Sequence, residues 1–174
     1  IGVWPANTVN DDDVEIYTDE SRKKILHTQY GMRQQLKKTE AASNDCVSDF
    51  IAQKESGIED YIGGFVVTAG LNIDKKIKEF EADHNDYNSI MLKALADRLA
   101  EAFAERMHER IRQEFWGYEK TPLTKDDLIS EKYVGIRPAP GYPANPDHTE
   151  KPGLFKILDA TNKTEVFLTE SMAM

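Results

Sequence analysis

The sequence predicts an α+β fold, in which an antiparallel sheet is flanked by helices that include one long helix over about residues 87–116. Residues 14–17 alternate in polarity, as in a half-buried strand. Between Tyr87 and Phe115, apolar residues recur at steps of three and four, and neither glycine nor proline interrupts them. A helix over this stretch would be roughly 40 Å long. A few strands together with several helices indicate a mixed fold.

Three further runs have the character of strands. Residues 24–27 are the candidate partner of 14–17, because residues 18–21 supply turn-forming side chains between them. Residues 65–68, Phe-Val-Val-Thr, have the length and β-branched content of a buried strand, and nearby glycines favour bends. Residues 165–169 form the last strand-like run.

Capping residues mark where the shorter helices begin. Asn72 is a suitable N-cap for a helix with an apolar stripe. Thr124 begins another helix, with Asp127 at the position of a capping box. Gly117 is expected to end the long helix. Two more short helices are predicted at 31–38 and 154–158.

Composition and charge narrow the classes of function. The chain has 174 residues, of which 40% are hydrophobic and 30% charged, as in a globular protein with one domain. Its net charge of −9 repels a phosphate backbone, so nucleic acid is not expected as a partner. No run of eighteen apolar residues exists to span a membrane, and the first twenty residues lack the features of a secretory signal. We therefore expect a cytoplasmic protein.

The ends of the chain lead to one further expectation. The sequence begins at Ile1 without an initiator methionine and stops at Met174, directly after a strand-like run. We expect residues 1–174 to be a single domain cut at both ends from a longer polypeptide.

No pattern of metal ligands or reactive groups emerges from the sequence. The single cysteine, Cys46, cannot form an internal disulfide and is expected to pack as a small hydrophobe. The acidic cluster at 83–86 favours a helix-entry cap over a metal site. Ligand-like spacing is also missing among the four histidines, which are His27, His84, His108 and His148.

The stretch 135–148, here called the proline ribbon, has the most distinctive chemistry. Five of the seven prolines lie between 138 and 152, and each one fixes its own φ and extends the residue before it. The amides of Ala139, Gly141 and Tyr142 are then expected to lack regular partners, which a polar small molecule could supply. Arg137 adds a planar cation suited to a carboxylate. Taken alone, these residues also fit a stiff linker or a protein-binding segment, which is the commoner meaning of such stretches.

An ordered set of motifs resembles the activation domain of cobalamin-dependent methionine synthase. The motifs keep the family's order and cover nearly the whole chain. One departure is Asn145, where the family often has cysteine. The motifs are Gly-Ile-Arg-Pro-Ala-Pro-Gly-Tyr-Pro-Ala (135–144), Pro-Asp-His-Thr-Glu-Lys (146–151), Asp-His-Asn-Asp-Tyr-Asn (83–88), the helical run 93–105, Trp-Gly-Tyr (116–118), the acidic groups 10–13 and 19–20, and Leu-Thr-Glu-Ser (168–171).

The resemblance implies a site for S-adenosylmethionine on the proline ribbon. By analogy, Arg137 binds the methionine carboxylate of the ligand, and backbone groups of Ala139, Gly141 and Tyr142 hold the rest. Glu101 corresponds to an acidic ligand residue of the family and would pair with the ammonium group. Without the resemblance, Glu101 would be interpreted as a solvated helix carboxylate.

The resemblance also implies partners and a mechanism. Asp97 corresponds to the aspartate thought to hold the histidine that leaves cobalt when the domain docks. Cobalamin is expected on a neighbouring domain of the same polypeptide, zinc only elsewhere in the full enzyme, and a flavodoxin or diflavin reductase as electron donor. Methyl transfer from a sulfonium needs alignment more than acid–base help, so no catalytic residue and no metal ligand is assigned in this chain. A non-catalytic S-adenosylmethionine sensor and a protein-interaction module are the alternatives.

Overall fold

The computed structural model describes residues 1–39 and 43–173, and its elements confirm the predicted α+β fold. The chain forms two compact units, Ile1–Phe65 with Thr121–Met174, and Val66–Lys120. The first unit contains the sheet and the second contains the long helix. The elements are β1 (Gly2–Val9), β2 (Asp13–Tyr17), β3 (Ile25–Gln29), β4 (Asp60–Gly64), α1 (Ile73–Ala82), α2 (Asp86–Arg110), α3 (Lys125–Ile129), α4 (Lys151–Leu158) and α5 (Ala160–Thr164).

The sheet has four antiparallel strands in the order β3-β2-β1-β4. The predicted pairing of residues 14–17 with 24–27 is confirmed, with Ile16 opposite His27. Val14 and Ile16 alternate with polar neighbours and are 1% and 3% exposed. They form the core of the first unit with Ala6 and Ile51.

Strand β1 is an inner strand of the sheet, and the sequence analysis did not predict it. Pro5 lacks an amide donor, which usually excludes a residue from a central strand. Here Pro5 pairs with Tyr61 of β4, while the pairing of β1 with β2 begins only at Ala6. The buried Thr8 donates its hydroxyl to the carbonyl of Ser48 over 2.8 Å. Such contacts hold the loop after residue 46 against the strand.

Two predicted strands are wrong. The pairing of β4 with β1 ends where Gly64 lies opposite Gly2, so residues 65–68 continue without a strand partner. Residues 165–169 are also irregular, because Glu165 has a φ of +59° and turns the chain at the end of α5. In both cases the local composition favours a strand, but the pairing that a strand needs is missing among the described residues.

The predicted helix at 31–38 is also wrong. The backbone of this stretch hydrogen bonds to distant segments instead of to its own preceding turn. The amide of Gly31 donates to the carboxylate of Asp13 over 3.3 Å. The amide of Gln34 donates to the carbonyl of Asp45 over 3.0 Å. Tertiary contacts therefore override the helical composition.

The two helices of the second unit agree with the sequence. The long helix is confirmed as α2, which has 25 residues and continues as a five-residue π-helical segment, Ile111–Phe115. Asn85 caps it by accepting a hydrogen bond from the amide of Asn88. Asn72 precedes α1 as predicted, but its φ is +63° and its side chain makes no capping hydrogen bond.

Helix α2 has large exposed apolar side chains that recur at steps of three and four residues. These exposed residues are Tyr87, Ile90, Met91, Leu95, Leu99 and Phe103. In the part of the chain that the structure describes, no helix is long and apolar enough to cross a membrane.

The helices on either side of the proline ribbon also agree with the sequence. Thr124 and Asp127 form the predicted capping box of α3. Helix α4 begins at Lys151, earlier than the predicted residue 154, because Pro152 fits the first turn of a helix, where its missing amide costs nothing. The ribbon therefore leads directly into a defined helix.

Candidate ligand-binding site

The proline ribbon folds into two consecutive tight turns. In the first, the amide of Tyr142 donates to the carbonyl of Ala139 over 3.0 Å. Pro140 and Gly141 occupy the middle of this turn. Gly141 has a φ of +108°, which glycine adopts readily and other residues rarely adopt. In the second turn, the amide of Asn145 donates to the carbonyl of Tyr142 over 2.9 Å, and the amide of Gly141 donates back to the carbonyl of Asn145 over 2.7 Å.

These turns correct one expectation from the sequence. The amides of Gly141 and Tyr142 are not left without partners, because both donate within the ribbon. Among the described residues, no hydrogen bond is made by the amide of Ala139 or by the carbonyl of Gly141. Both residues are exposed. One backbone donor and one backbone acceptor are therefore accessible to a ligand on a turn that is already formed.

The second turn is anchored to the body of the first unit. Asn145 is 6% exposed, and the carbonyl of Ala144 accepts a hydrogen bond from the amide of Val47 over 3.2 Å. The preceding Cys46 is 1% exposed, which confirms that it packs as a small hydrophobe. Its amide donates to the carboxylate of Asp49 over 2.9 Å. The ribbon therefore rests on an ordered and buried segment.

His148 lies against Gly141, and sequence reasoning missed this contact. A Cβ atom built on Gly141 would lie 2.7 Å from Nε2 and 3.0 Å from Nδ1 of His148, and closer still to Cε1. The backbone at His148 is held by Asp147, whose carboxylate accepts hydrogen bonds from the hydroxyl and amide of Thr149 over 2.7 and 2.8 Å. The hydrogen bond from the Thr149 hydroxyl contributes most to lowering the pKa of Asp147 below its usual value.

The end of the ribbon is also connected to strand β3. The carboxylate of Glu150 accepts a hydrogen bond from the amide of Tyr30 over 3.2 Å and lies 4.0 Å from Nε2 of His27. Burial raises the pKa of Glu150. Burial and the charge of Lys156 lower the pKa of His27. Gly153 lets α4 pack closely against β3, because a Cβ atom at residue 153 would collide with the ring of His27.

Four of the predicted ligand residues lie on the ribbon. Arg137 is half-buried and precedes Pro138. Ala139 and Gly141 carry the accessible donor and acceptor, and Tyr142 is 54% exposed. The ribbon therefore carries a cation, an exposed aromatic ring, and two backbone groups that make no hydrogen bond to another described residue.

The remaining predicted residues belong to the second unit. Asp97 and Glu101 are both exposed and lie one turn apart on α2. Among the described residues, no group of three or more His, Cys, Asp or Glu side chains is arranged to hold a metal. A groove of about 260 Å³ in this unit contains neither acidic residue and is lined by Phe80, Asn88, Met91, Leu92 and Leu95.

Comparison with known proteins identifies a family and a solved structure that the chain resembles. A family model described as the activation domain of vitamin B12-dependent methionine synthase matches residues 1–174. A crystal structure of the MetH reactivation domain bound to AdoHcy superimposes with a TM-score of 0.90 at 53% sequence identity. The match covers 99% of this chain and 53% of the other, so this chain spans about half the length of that structure.

Proposed function

Because this chain belongs to the activation-domain family of vitamin B12-dependent methionine synthase, we propose that it binds S-adenosylmethionine and presents the methyl group for reductive methylation of cobalamin. The whole enzyme is then a methyltetrahydrofolate:homocysteine methyltransferase, in which this chain is the reactivation module. We expect no methionine synthesis from this chain alone.

The observation that carries the proposal is the preformed turn around Gly141. A relative with 53% identity was crystallised with AdoHcy, which is S-adenosylmethionine without its transferable methyl group. The ribbon suits such a ligand, because the Ala139 amide and the Gly141 carbonyl provide a donor and an acceptor that no other described residue uses. Since the turn is closed by its own hydrogen bonds, little conformational entropy is lost when a ligand binds.

The charges proposed for the site complement the methionine portion of the ligand. Arg137 binds the carboxylate through its planar guanidinium, which can donate two parallel hydrogen bonds. Glu101 binds the ammonium group as a charge-assisted acceptor. The exposed ring of Tyr142 supplies a contact surface for the nucleoside.

The proposed chemistry depends on position rather than on acid–base catalysis. Transfer of a methyl group from a sulfonium releases a neutral thioether, so no proton has to move. A cobalamin held by a neighbouring domain would supply the cobalt as methyl acceptor, once the electron donor had reduced it by one electron. The residues of this chain hold the sulfonium in line with that acceptor and keep the nucleoside fixed during transfer.

The proposed partners follow from the family. The cobalamin-binding domain of the same polypeptide is the first, and Asp97 is the residue we assign to its docking. A flavodoxin or a diflavin reductase is the electron donor. Both partners are consistent with a cytoplasmic enzyme, which is the location we propose.

Calorimetric titration with S-adenosylmethionine tests the binding step. We expect saturable binding by the wild-type chain and by a control with Arg106→Ala, a substitution on the exposed surface of α2. Reductive methylation of an added cobalamin domain tests the second step. Binding without methyl transfer would favour a non-catalytic sensor, and no binding at all would leave the protein-interaction module as the better explanation.

A further inference from the structure

We infer that His148 is a positioning residue for the ligand, because its imidazole ring holds the turn at Gly141 in the binding conformation. This inference rests on the proposed function, since the turn matters only if a ligand uses it. The two residues are in direct contact, as the space where a Cβ atom of residue 141 would lie is filled by the His148 ring.

The His148 ring adds a packing restraint to the hydrogen bonds that set the conformation of Gly141. Glycine populates many backbone conformations about equally well, so its positive φ is not self-maintaining. The amide of Tyr142, which shares a peptide group with the Gly141 carbonyl, is held by one hydrogen bond to the carbonyl of Ala139, and the amide of Gly141 donates to the carbonyl of Asn145. A ring packed on the α-carbon of Gly141 excludes conformations in which the peptide group rotates toward it. The accessible carbonyl of Gly141 therefore keeps one orientation.

His148 is suited to this task because its own backbone is fixed. It begins a short 3₁₀ segment, His148–Glu150, that continues into α4. Asp147 caps this segment through two hydrogen bonds to Thr149. At its other end, Glu150 accepts a hydrogen bond from the amide of Tyr30 beside strand β3. The ring is thus attached to the sheet of the first unit through a rigid connection.

The test compares two substitutions at the same position. His148→Phe keeps a flat ring on Gly141 but removes the ring nitrogens, whereas His148→Ala removes the ring. We expect His148→Ala to weaken binding of S-adenosylmethionine by about threefold to tenfold, and His148→Phe to restore affinity to within about twofold of wild type. His84→Asn is the matched control, because His84 is exposed and its φ of +52° is tolerated by asparagine.

A second readout reports the contact itself. The α-protons of Gly141 should show a ring-current displacement of their NMR chemical shifts in the wild-type and His148→Phe chains, which disappears in His148→Ala. Wild-type affinity in His148→Ala, or equal losses in both variants, overturns the positioning role alone. If the wild-type chain binds neither S-adenosylmethionine nor AdoHcy, the proposed function fails and the positioning role fails with it, even when the ring-current signature is present.

Discussion

The guanidinium of Arg22 donates a hydrogen bond to the side-chain oxygen of Asn7 over 2.9 Å. The same group donates to the carbonyl of Ala6 over 3.2 Å and to the carbonyl of Asp60 over 2.9 Å. It also lies 5.4 Å from the centre of the Tyr61 ring. One side chain from the turn between β2 and β3 therefore connects the central strand β1 to the edge strand β4.

Replacing this side chain should destabilise the first unit. We expect Arg22→Ala to lower the free energy of unfolding by about 2–3 kcal/mol, because partly buried acceptors lose a charged donor. Lys23→Ala is the control, since Lys23 is exposed, and its effect should stay within about 0.5 kcal/mol. Urea denaturation followed by circular dichroism measures both. Equal stabilities of the two variants would show that the Arg22 contacts contribute nothing net.

The features that sequence reasoning predicted correctly are those that nearby residues decide. The capping box between Thr124 and Asp127 depends on side chains three positions apart, and so does the cap that Asn85 places on α2. The unbroken periodicity of α2 is equally local.

The features that it missed depend on residues distant in sequence. Residues 65–68 have a strand composition, but the register of β4 against β1 stops at Gly64. Arg22 reaches acceptors on both β1 and β4, which no local pattern announces. The packing of His148 on Gly141 likewise requires the turns between them to be known. A single sequence shows these residues without showing which of them meet.

Arg137 is the residue whose removal tests the proposed carboxylate contact. Arg137→Ala should weaken S-adenosylmethionine binding by about 1.5–3 kcal/mol, since a charge-assisted hydrogen bond would be lost. Arg137→Lys keeps the positive charge but cannot donate two parallel hydrogen bonds to the carboxylate. Its affinity should therefore lie between those of the wild type and Arg137→Ala. Isothermal titration calorimetry measures the three proteins. Unchanged affinity in a folded Arg137→Ala chain removes Arg137 from the site.

Gly141 should tolerate no side chain. Gly141→Ala places a methyl group in the space of the His148 ring and forces a φ of +108° on a residue with a Cβ atom. We expect a loss of about tenfold or more in ligand affinity, measured by calorimetry. Gly57→Ala separates the two causes, because Gly57 has a φ of +71° but nothing within 4 Å of its added Cβ atom. That control should cost about 1 kcal/mol of stability and leave affinity unchanged.

The contact between α4 and β3 should make stability depend on pH. Burial lowers the pKa of His27 below its usual value of 6.5, so the unfolded chain binds a proton more readily than the folded chain. The contribution of His27 is therefore fully present above pH 6.5 and is lost as the pH falls through the folded pKa. His27→Gln should flatten the decline in unfolding free energy below pH 6.5, as measured by urea titrations at several pH values.

Glu150 should affect the pH dependence of the unfolding free energy in the opposite direction to His27, so it serves as a control. Its pKa is raised above the usual value of 4.5 by burial, so its contribution is present below pH 4.5 and is lost as the pH rises through the folded pKa. Glu150→Gln removes this opposing contribution and should make the dependence of the unfolding free energy on pH steeper. If both variants change the slope in the same direction, the electrostatic description of this contact is wrong.

Glu101 and Asp97 offer a way to separate ligand binding from docking, because both are exposed carboxylates one turn apart on α2. Glu101→Gln should weaken S-adenosylmethionine binding by about tenfold, since an ammonium group would lose its ionic acceptor, and should leave stability unchanged. Asp97→Asn should bind the ligand as wild type does but slow reductive methylation of an added cobalamin domain. Calorimetry and a methylation assay on both variants measure the two effects. Loss of ligand affinity in Asp97→Asn together with its retention in Glu101→Gln would reverse the assigned roles, because the same helix face would then present the other carboxylate to the ligand.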